Sequence, residues 1–133
     1  MIIRYSIHPD HIKRMTTDEL RDAFLLDSLF KKDTIELIYS EVDRAIVGSV
    51  VPVNSDLSLE ASKKEMGVNY FAERRELGVI NIGEKGIIIL DKDEYLLEKE
   101  DMLYIGRETK NIIFKKSEDE KIPLFYFVSY PAH

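Results

Sequence analysis

Leu77-Gly78-Val79-Ile80-Asn81-Ile82-Gly83-Glu84-Lys85-Gly86-Ile87-Ile88-Ile89-Leu90-Asp91-Lys92-Asp93-Glu94-Tyr95-Leu96-Leu97 is the stretch that decides the fold class. Short apolar runs rich in β-branched residues are separated by Gly83-Glu84-Lys85-Gly86 and by Asp91-Lys92-Asp93, and both separators have the chemistry of tight turns. Outward from this stretch the texture continues. Ile35 to Tyr39, Arg44 to Val51 and Leu57 to Leu59 precede it, and Met102 to Ile105, Asn111 to Lys115 and Leu124 to Tyr130 follow. Strands this short at near-even spacing predict an all-β meander closed into a barrel or sandwich, closure being what removes exposed strand edges.

Two short helices interrupt the pattern. Thr16-Thr17-Asp18-Glu19 before Leu20, Ala23 and Phe24 has the reciprocal spacing of a capping box, with its apolar residues on one helical face. Glu60 to Met66, stopped by Gly67, predicts a second. Lys115 to Lys121 reads as an exposed hairpin tip. The 133 residues form one expected domain, and the ending Pro131-Ala132-His133, just after an apolar aromatic run, reads as a cut between domains.

Composition narrows the function classes. Apolar residues make up 44% and charged residues 33%, the balance of a chain that buries a core. The net charge of -6 repels a phosphate backbone, and Lys31-Lys32, Lys63-Lys64 and Lys115-Lys116 are isolated pairs with acids nearby, so nucleic acid is not an expected partner. No apolar run approaches the roughly 20 residues that span a bilayer, so no membrane partner is expected and the cytoplasm is the expected compartment. The absence of cysteine excludes disulfides, thiolate metal sites and a cysteine nucleophile.

Few residues offer chemistry. His8 and His11 stand at i, i+3, but Pro9 interrupts them and no third ligand lies at metal spacing, so they read as caps or packing of an N-terminal arm. Glu98, Glu100 and Asp101 read as a solvated turn. The densest signal is Glu73-Arg74-Arg75-Glu76 immediately before an apolar run. Adjacent arginines flanked by glutamates suit bidentate ion pairs across an interface, or a grip on a substrate carboxylate, and ordinary solvated surface is the alternative. Arg44 joins these four as a substrate or interface candidate. No catalytic residue is identified, and no metal ligand.

The chain resembles the N-terminal half of the 5-keto-4-deoxyuronate isomerases, the 4-deoxy-L-threo-5-hexosulose-uronate ketol-isomerases, a bicupin family. The resemblance is carried by Ile7-His8, Leu20-Arg21, Phe24-Leu25, Tyr39-Ser40, Asp43-Arg44, Ile46-Val47-Gly48, and Tyr70-Phe71 with Glu73 through Gly83. It continues in Leu103-Tyr104-Ile105-Gly106, Phe125-Tyr126 and Pro131-Ala132-His133. It implies a cupin-like β-barrel or jelly roll in each half, with zinc held in the C-terminal barrel by three histidines and a glutamate. It further implies a cytoplasmic homo-oligomer that isomerises a sugar-acid substrate from pectin breakdown, with the C-terminal cupin domain as this domain's partner. On that reading this chain is a structural, oligomer-forming half that carries no cofactor and does not catalyse alone. A stand-alone metal-free cupin holding a small sugar acid in its lumen, gripped by Arg75 or Arg44, is the alternative. Glu41 departs from the family, which tends to carry histidine there. Fitted to the first cupin motif, G-x5-H-x-H-x3-E-x6-G, the chain places Gly67, Glu73, Arg75, Val79 and Gly86 at the marked positions, and the second motif's histidine falls at Thr109.

Overall fold

The computed structural model describes residues 1–133 and contains ten strands: β1 (Ile2–Arg4), β2 (Ile35–Ser40), β3 (Ile46–Val50), β4 (Leu57–Ser58), β5 (Arg75–Asn81), β6 (Gly86–Leu90), β7 (Asp93–Leu97), β8 (Met102–Ile105), β9 (Ile112–Lys116) and β10 (Phe125–Pro131). Three short helices, α1 (Pro9–Ile12), α2 (Thr17–Phe24) and α3 (Lys63–Met66), and two 3-10 turns at Val42–Arg44 and Phe71–Glu73 lie between them. The strands form a six-stranded sheet in the order β1-β2-β3-β10-β5-β8 and a four-stranded sheet in the order β4-β9-β6-β7.

The expected meander is corrected at its centre. Asp91-Lys92 does close a hairpin, pairing β6 with β7, but Gly83 to Gly86 carries the chain from the large sheet into the small one. The reason is steric. A Cβ on Gly83 would lie 2.5 Å from the Leu124 amide nitrogen, and one on Gly86 would lie 2.5 Å from the Pro123 side chain, so only glycine lets this crossing pass the segment that enters β10. Of the expected barrel or sandwich, the structure forms the sandwich. No ladder joins the two sheets, so the fold is an open jelly-roll sandwich whose edges are β1, β8, β4 and β7.

Alternation builds the interior. On β5 the residues Leu77, Val79 and Asn81 are buried while Gly78 is exposed, and on β10 Phe125, Phe127 and Ser129 are buried. Leu77, Val79, Phe125 and Phe127 meet Ile88, Ile105, Ile112 and Phe114 in one core cluster, where Phe71 and Phe127 pack edge to face with ring centroids 6.0 Å apart. Phe127 stands opposite Gly48 across the β3–β10 ladder, and its ring occupies the space that a side chain at position 48 would need.

Asn81 is the one fully buried amide side chain in that interior. Its Nδ2 donates to the Glu84 carbonyl at 2.7 Å and the Leu97 carbonyl at 3.0 Å, and its Oδ1 accepts from the Gly83 and Leu124 amides. All of its side-chain hydrogen-bonding capacity is used, at the point where both sheets meet the crossover.

The helices match the capping signals, not all the packing. Thr16 Oγ1 accepts from the Glu19 amide and Glu19 Oε2 accepts from the Thr16 amide, completing the capping box, yet no residue of α2 is buried and Phe24 remains 58% exposed. The second helix is shorter than expected, a single turn ending on Gly67 at φ 65. The N-terminal arm adds β1, a parallel partner of β2 that the sequence pattern did not reveal.

Glu41 ties that arm to the body. Its Oε2 accepts from the Ser6 amide and hydroxyl, both at 2.8 Å, and these bonds, led by the backbone one, hold the carboxyl below the ordinary glutamate value of 4.5. A depressed acid stabilises the arm's attachment above its unfolded value and loses that contribution as pH falls through the depressed one. The Ser6 amide resonance is therefore expected to titrate with a midpoint below 4.5. Loss of that titration in Glu41→Gln confirms the assignment, and a midpoint at or above the ordinary value refutes it.

Candidate functional site

At one end of the large sheet, where β2 ends, β3 begins, β10 ends and β5 begins, an open cavity of about 890 Å³ lies above the core. It gathers four of the five sequence candidates: Arg44, Glu73, Arg74 and Arg75. Glu76 is turned away. Strand alternation that points Arg75 inward points Glu76 to the outer face, where its carboxylate accepts from the Tyr104 hydroxyl at 2.7 Å. That bond is the largest cause of the raised Tyr104 pKa.

Arg75 is half-buried at the mouth. Its Nε donates to Ser129 Oγ at 3.2 Å, and its terminal nitrogen donates to the Ser129 carbonyl at 3.0 Å and to the Arg44 carbonyl. Burial pulls its pKa below the ordinary arginine value; Tyr39 opposes the shift, and the neighbouring Arg44 cation reinforces it. Arg44 itself sits at φ 52, directly after Asp43 at φ 54, so two successive left-handed residues aim this loop. Ion pairing within Glu73-Arg74-Arg75-Glu76 does not occur: neither Arg74 nor Arg75, nor Arg44, has a carboxylate within 4.0 Å. The acids of the cavity are engaged elsewhere. Glu73 accepts from the Asn69 amide, Glu65 pairs with the N-terminal amine at 3.3 Å, and Glu108 pairs with Arg107 at 3.1 Å.

Sequence reading missed Tyr39, Glu65, Tyr70, Arg107 and Glu108, which arrive at the cavity from separate segments. Only Arg107-Glu108, following the turn glycine Gly106, left a local signal of an exposed charged tip.

The positions that would ligate a metal in the cupin motif do not fit one. Val79 is a core residue 1% exposed, Thr109 donates its hydroxyl to the Gly106 carbonyl, Arg75 is a cation bound to carbonyls, and Glu73 is the one carboxylate among them. No group of three or more histidine or acidic side chains is assembled anywhere to hold a metal ion. His8 caps α1, its Nδ1 accepting from the Asp10 amide, and His133 lines the cavity. Two of the three lysine pairs noted in the sequence include acid-partnered residues, Lys31 with Glu36, Lys115 with Glu94 and Lys116 with Asp119, while Lys63-Lys64 has no carboxylate within 4.0 Å. No helix is long and apolar enough to cross a membrane.

No family model matches the chain. Among curated proteins it is 44% identical, over its full length and 48% of theirs, to the 4-deoxy-L-threo-5-hexosulose-uronate ketol-isomerase of Caldicellulosiruptor bescii. It is 47% identical to that of Lachnoclostridium phytofermentans, again over all of this chain and 48% of the relative. The Bacillus subtilis enzyme of the same name is 44% identical over 98% of this chain and 46% of its own length. The chain thus spans about half the length of the curated relatives it matches. Solved structures with the same fold include the Cupin_2 domain of an XRE-family transcriptional regulator from Enterobacter cloacae, with a TM-score of 0.57 at 10% identity over 75% of this chain and 97% of that one. A cupin protein from Bacteroides fragilis follows, with a TM-score of 0.52 at 16% identity over 80% of this chain and 84% of its own. The chain therefore has a cupin fold and is similar, at 42–47% identity over nearly its whole length, to about half of the 4-deoxy-L-threo-5-hexosulose-uronate ketol-isomerases.

Proposed function

We propose that this chain is the structural and oligomer-forming half of a sugar-acid ketol-isomerase, with catalysis and zinc residing in a C-terminal cupin domain. The observation that carries this reading is the full-length match to about half of each relative, in a domain whose motif positions hold Glu73, Arg75, Val79 and Thr109. Ketol isomerisation exchanges a carbonyl and a hydroxyl between adjacent carbons and needs a base beside an electrophile that stabilises the enediolate. The three carboxylates of the mouth are each already engaged, Glu73 by the Asn69 amide, Glu65 by the N-terminal amine and Glu108 by Arg107, which disfavours their service as a base. The edges β1 and β8 and the exposed apolar residues Phe24, Met102 and Tyr104 support an assembling role. The expected setting is the cytoplasm, in breakdown of pectin-derived uronates, as a homo-oligomer.

The test is a comparison of residues 1–133 alone with the same chain combined with the C-terminal half of a relative. No turnover of the unsaturated-uronate product by the first, and turnover by the second, is the expected result. Isomerisation by the isolated chain, or stoichiometric zinc in it by elemental analysis, overturns the reading.

A further inference from the structure

The outer face of the large sheet is covered at one end and bare at the other. Strand register sets Ile38, Val47, Val128, Gly78 and Tyr104 in one row across it, with Tyr126, Ile80 and Met102 in the next. Over β2 and β3 the chain closes this face itself: the Phe30 amide donates to Ser49 Oγ at 2.8 Å, and Ser49 and Ile38 are buried. The half made by β10, β5 and β8 stays open, with Met102 75% exposed, Tyr104 66% and Tyr130 47%. Gly78 lies in the middle of that half, between Val128 and Tyr104. A Cβ there would meet no atom within 4 Å, and its φ is not left-handed, so the fold has no need of glycine at this position. Glycine inside a strand weakens it, and one that its own fold does not require marks a place where another chain comes close.

We propose that this face pairs two copies of the chain, Met102 of each filling the hollow at Gly78 of the other about a twofold axis lying in the interface; this rests on the assembling role proposed above and gives that role a surface. Three features fit a second copy as the occupant. Protrusion and hollow occur on one surface, as a contact between identical patches requires, and a flexible thioether suits the filling of an irregular gap. The one charged side chain that these strands turn outward, Glu76, lies at the end of the patch beside Tyr130 and accepts from the Tyr104 hydroxyl at 2.7 Å. Two copies of a chain with net charge -6 thus meet where their charge is least. Area is the third. At about 200 Å² for a fully exposed side chain of this size, Met102, Tyr104 and Tyr130 offer about 400 Å², half of the roughly 800 Å² per partner in a stable pair, before Tyr126, Val128 and Ile80 between them are counted.

Sedimentation equilibrium of the chain from about 1 to 100 μM tests the pairing, and a monomer–dimer equilibrium is the expected result. Gly78→Thr fills the hollow with a residue that strands favour and no neighbour opposes. It is expected to weaken pairing at least about tenfold, yet to melt no lower than the parent at concentrations where both are monomeric. Met102→Lys, at a site too exposed to disturb folding, places a charge in the hollow and is expected to cost as much. Phe24→Ser, in the separate apolar patch on α2, is expected to leave pairing unchanged. A chain still monomeric at about 100 μM overturns the pairing together with the assembling role, and leaves the face to a different domain. Association undiminished in Gly78→Thr and Met102→Lys, or lost only in Phe24→Ser, overturns this surface while the assembling role stands.

Discussion

Replacing Gly48 with alanine is expected to destabilise the domain by about 3 kcal/mol, a drop of about 10 °C in the thermal midpoint. The added methyl falls within the Phe127 ring, and that ring is fully buried against Phe71, so it has no empty space to swing into. Backbone displacement would have to open the β3–β10 ladder at its centre, between the pairs Tyr126–Ser49 and Val128–Val47. The steric cause is checked by a cycle. Phe127→Leu alone creates a cavity and costs about 1.5 kcal/mol, but combined with Gly48→Ala it gives the methyl room, so the double variant should be clearly more stable than the sum of the two losses. Additive losses, or a Gly48→Ala chain that melts with the parent, would show that the contact is not what excludes a side chain.

Asn81 carries the second large effect. Asn81→Ala removes the partners of the Gly83 and Leu124 amides and of the Glu84 and Leu97 carbonyls at a partly buried junction, with the Leu97 bond fully buried, for an expected loss of about 3 kcal/mol. Asn81→Asp separates shape from chemistry. The new carboxyl keeps the acceptor to Gly83 and Leu124 but faces two carbonyls, so burial and those carbonyls raise its pKa in the folded state. An acid with a raised folded pKa favours the native state below its unfolded value and loses that contribution as pH rises through the folded one. Asn81→Asp is therefore expected to be strongly destabilised at pH 7 and to recover part of the loss at pH 5, while Asn81→Ala shows no such recovery. Denaturant midpoints at the two pH values decide it, and parallel behaviour of the variants would sink the account.

These two positions also show what a single sequence reveals. Local features were legible: the Thr16–Glu19 capping box, the Asp91-Lys92 hairpin, and the bounds of β6 and β8. Pairing was not, because whether Gly83 to Gly86 turns back or crosses depends on Pro123 and Leu124, some forty residues away in the chain. The same limit applied to the mouth. Arg74 and Arg75 could be singled out as a dense charge signal, but their lack of carboxylate partners became visible only once Glu73 had bonded Asn69 and strand alternation had carried Glu76 to the other face. Glu41 had no evident role in the sequence, and the role lies in a contact with Ser6, thirty-five residues earlier.

The chain changes sheets at nearly every step after β3, passing from large to small at β4, back at β5, across again at β6, and then alternately through β8, β9 and β10. Neither sheet can be completed before the other, so most stabilising contacts become available only after long loops have closed. Such topology places folding in the slow range of milliseconds to seconds and leaves few partial structures worth populating. The exception is the segment before Ile35, whose only ladder to the large sheet is β1–β2, supplemented by single bonds such as Phe30 N to Ser49 Oγ and Ser6 to Glu41. Amide protons there should exchange through an opening of their own, while those of β5 and β10 wait for global unfolding.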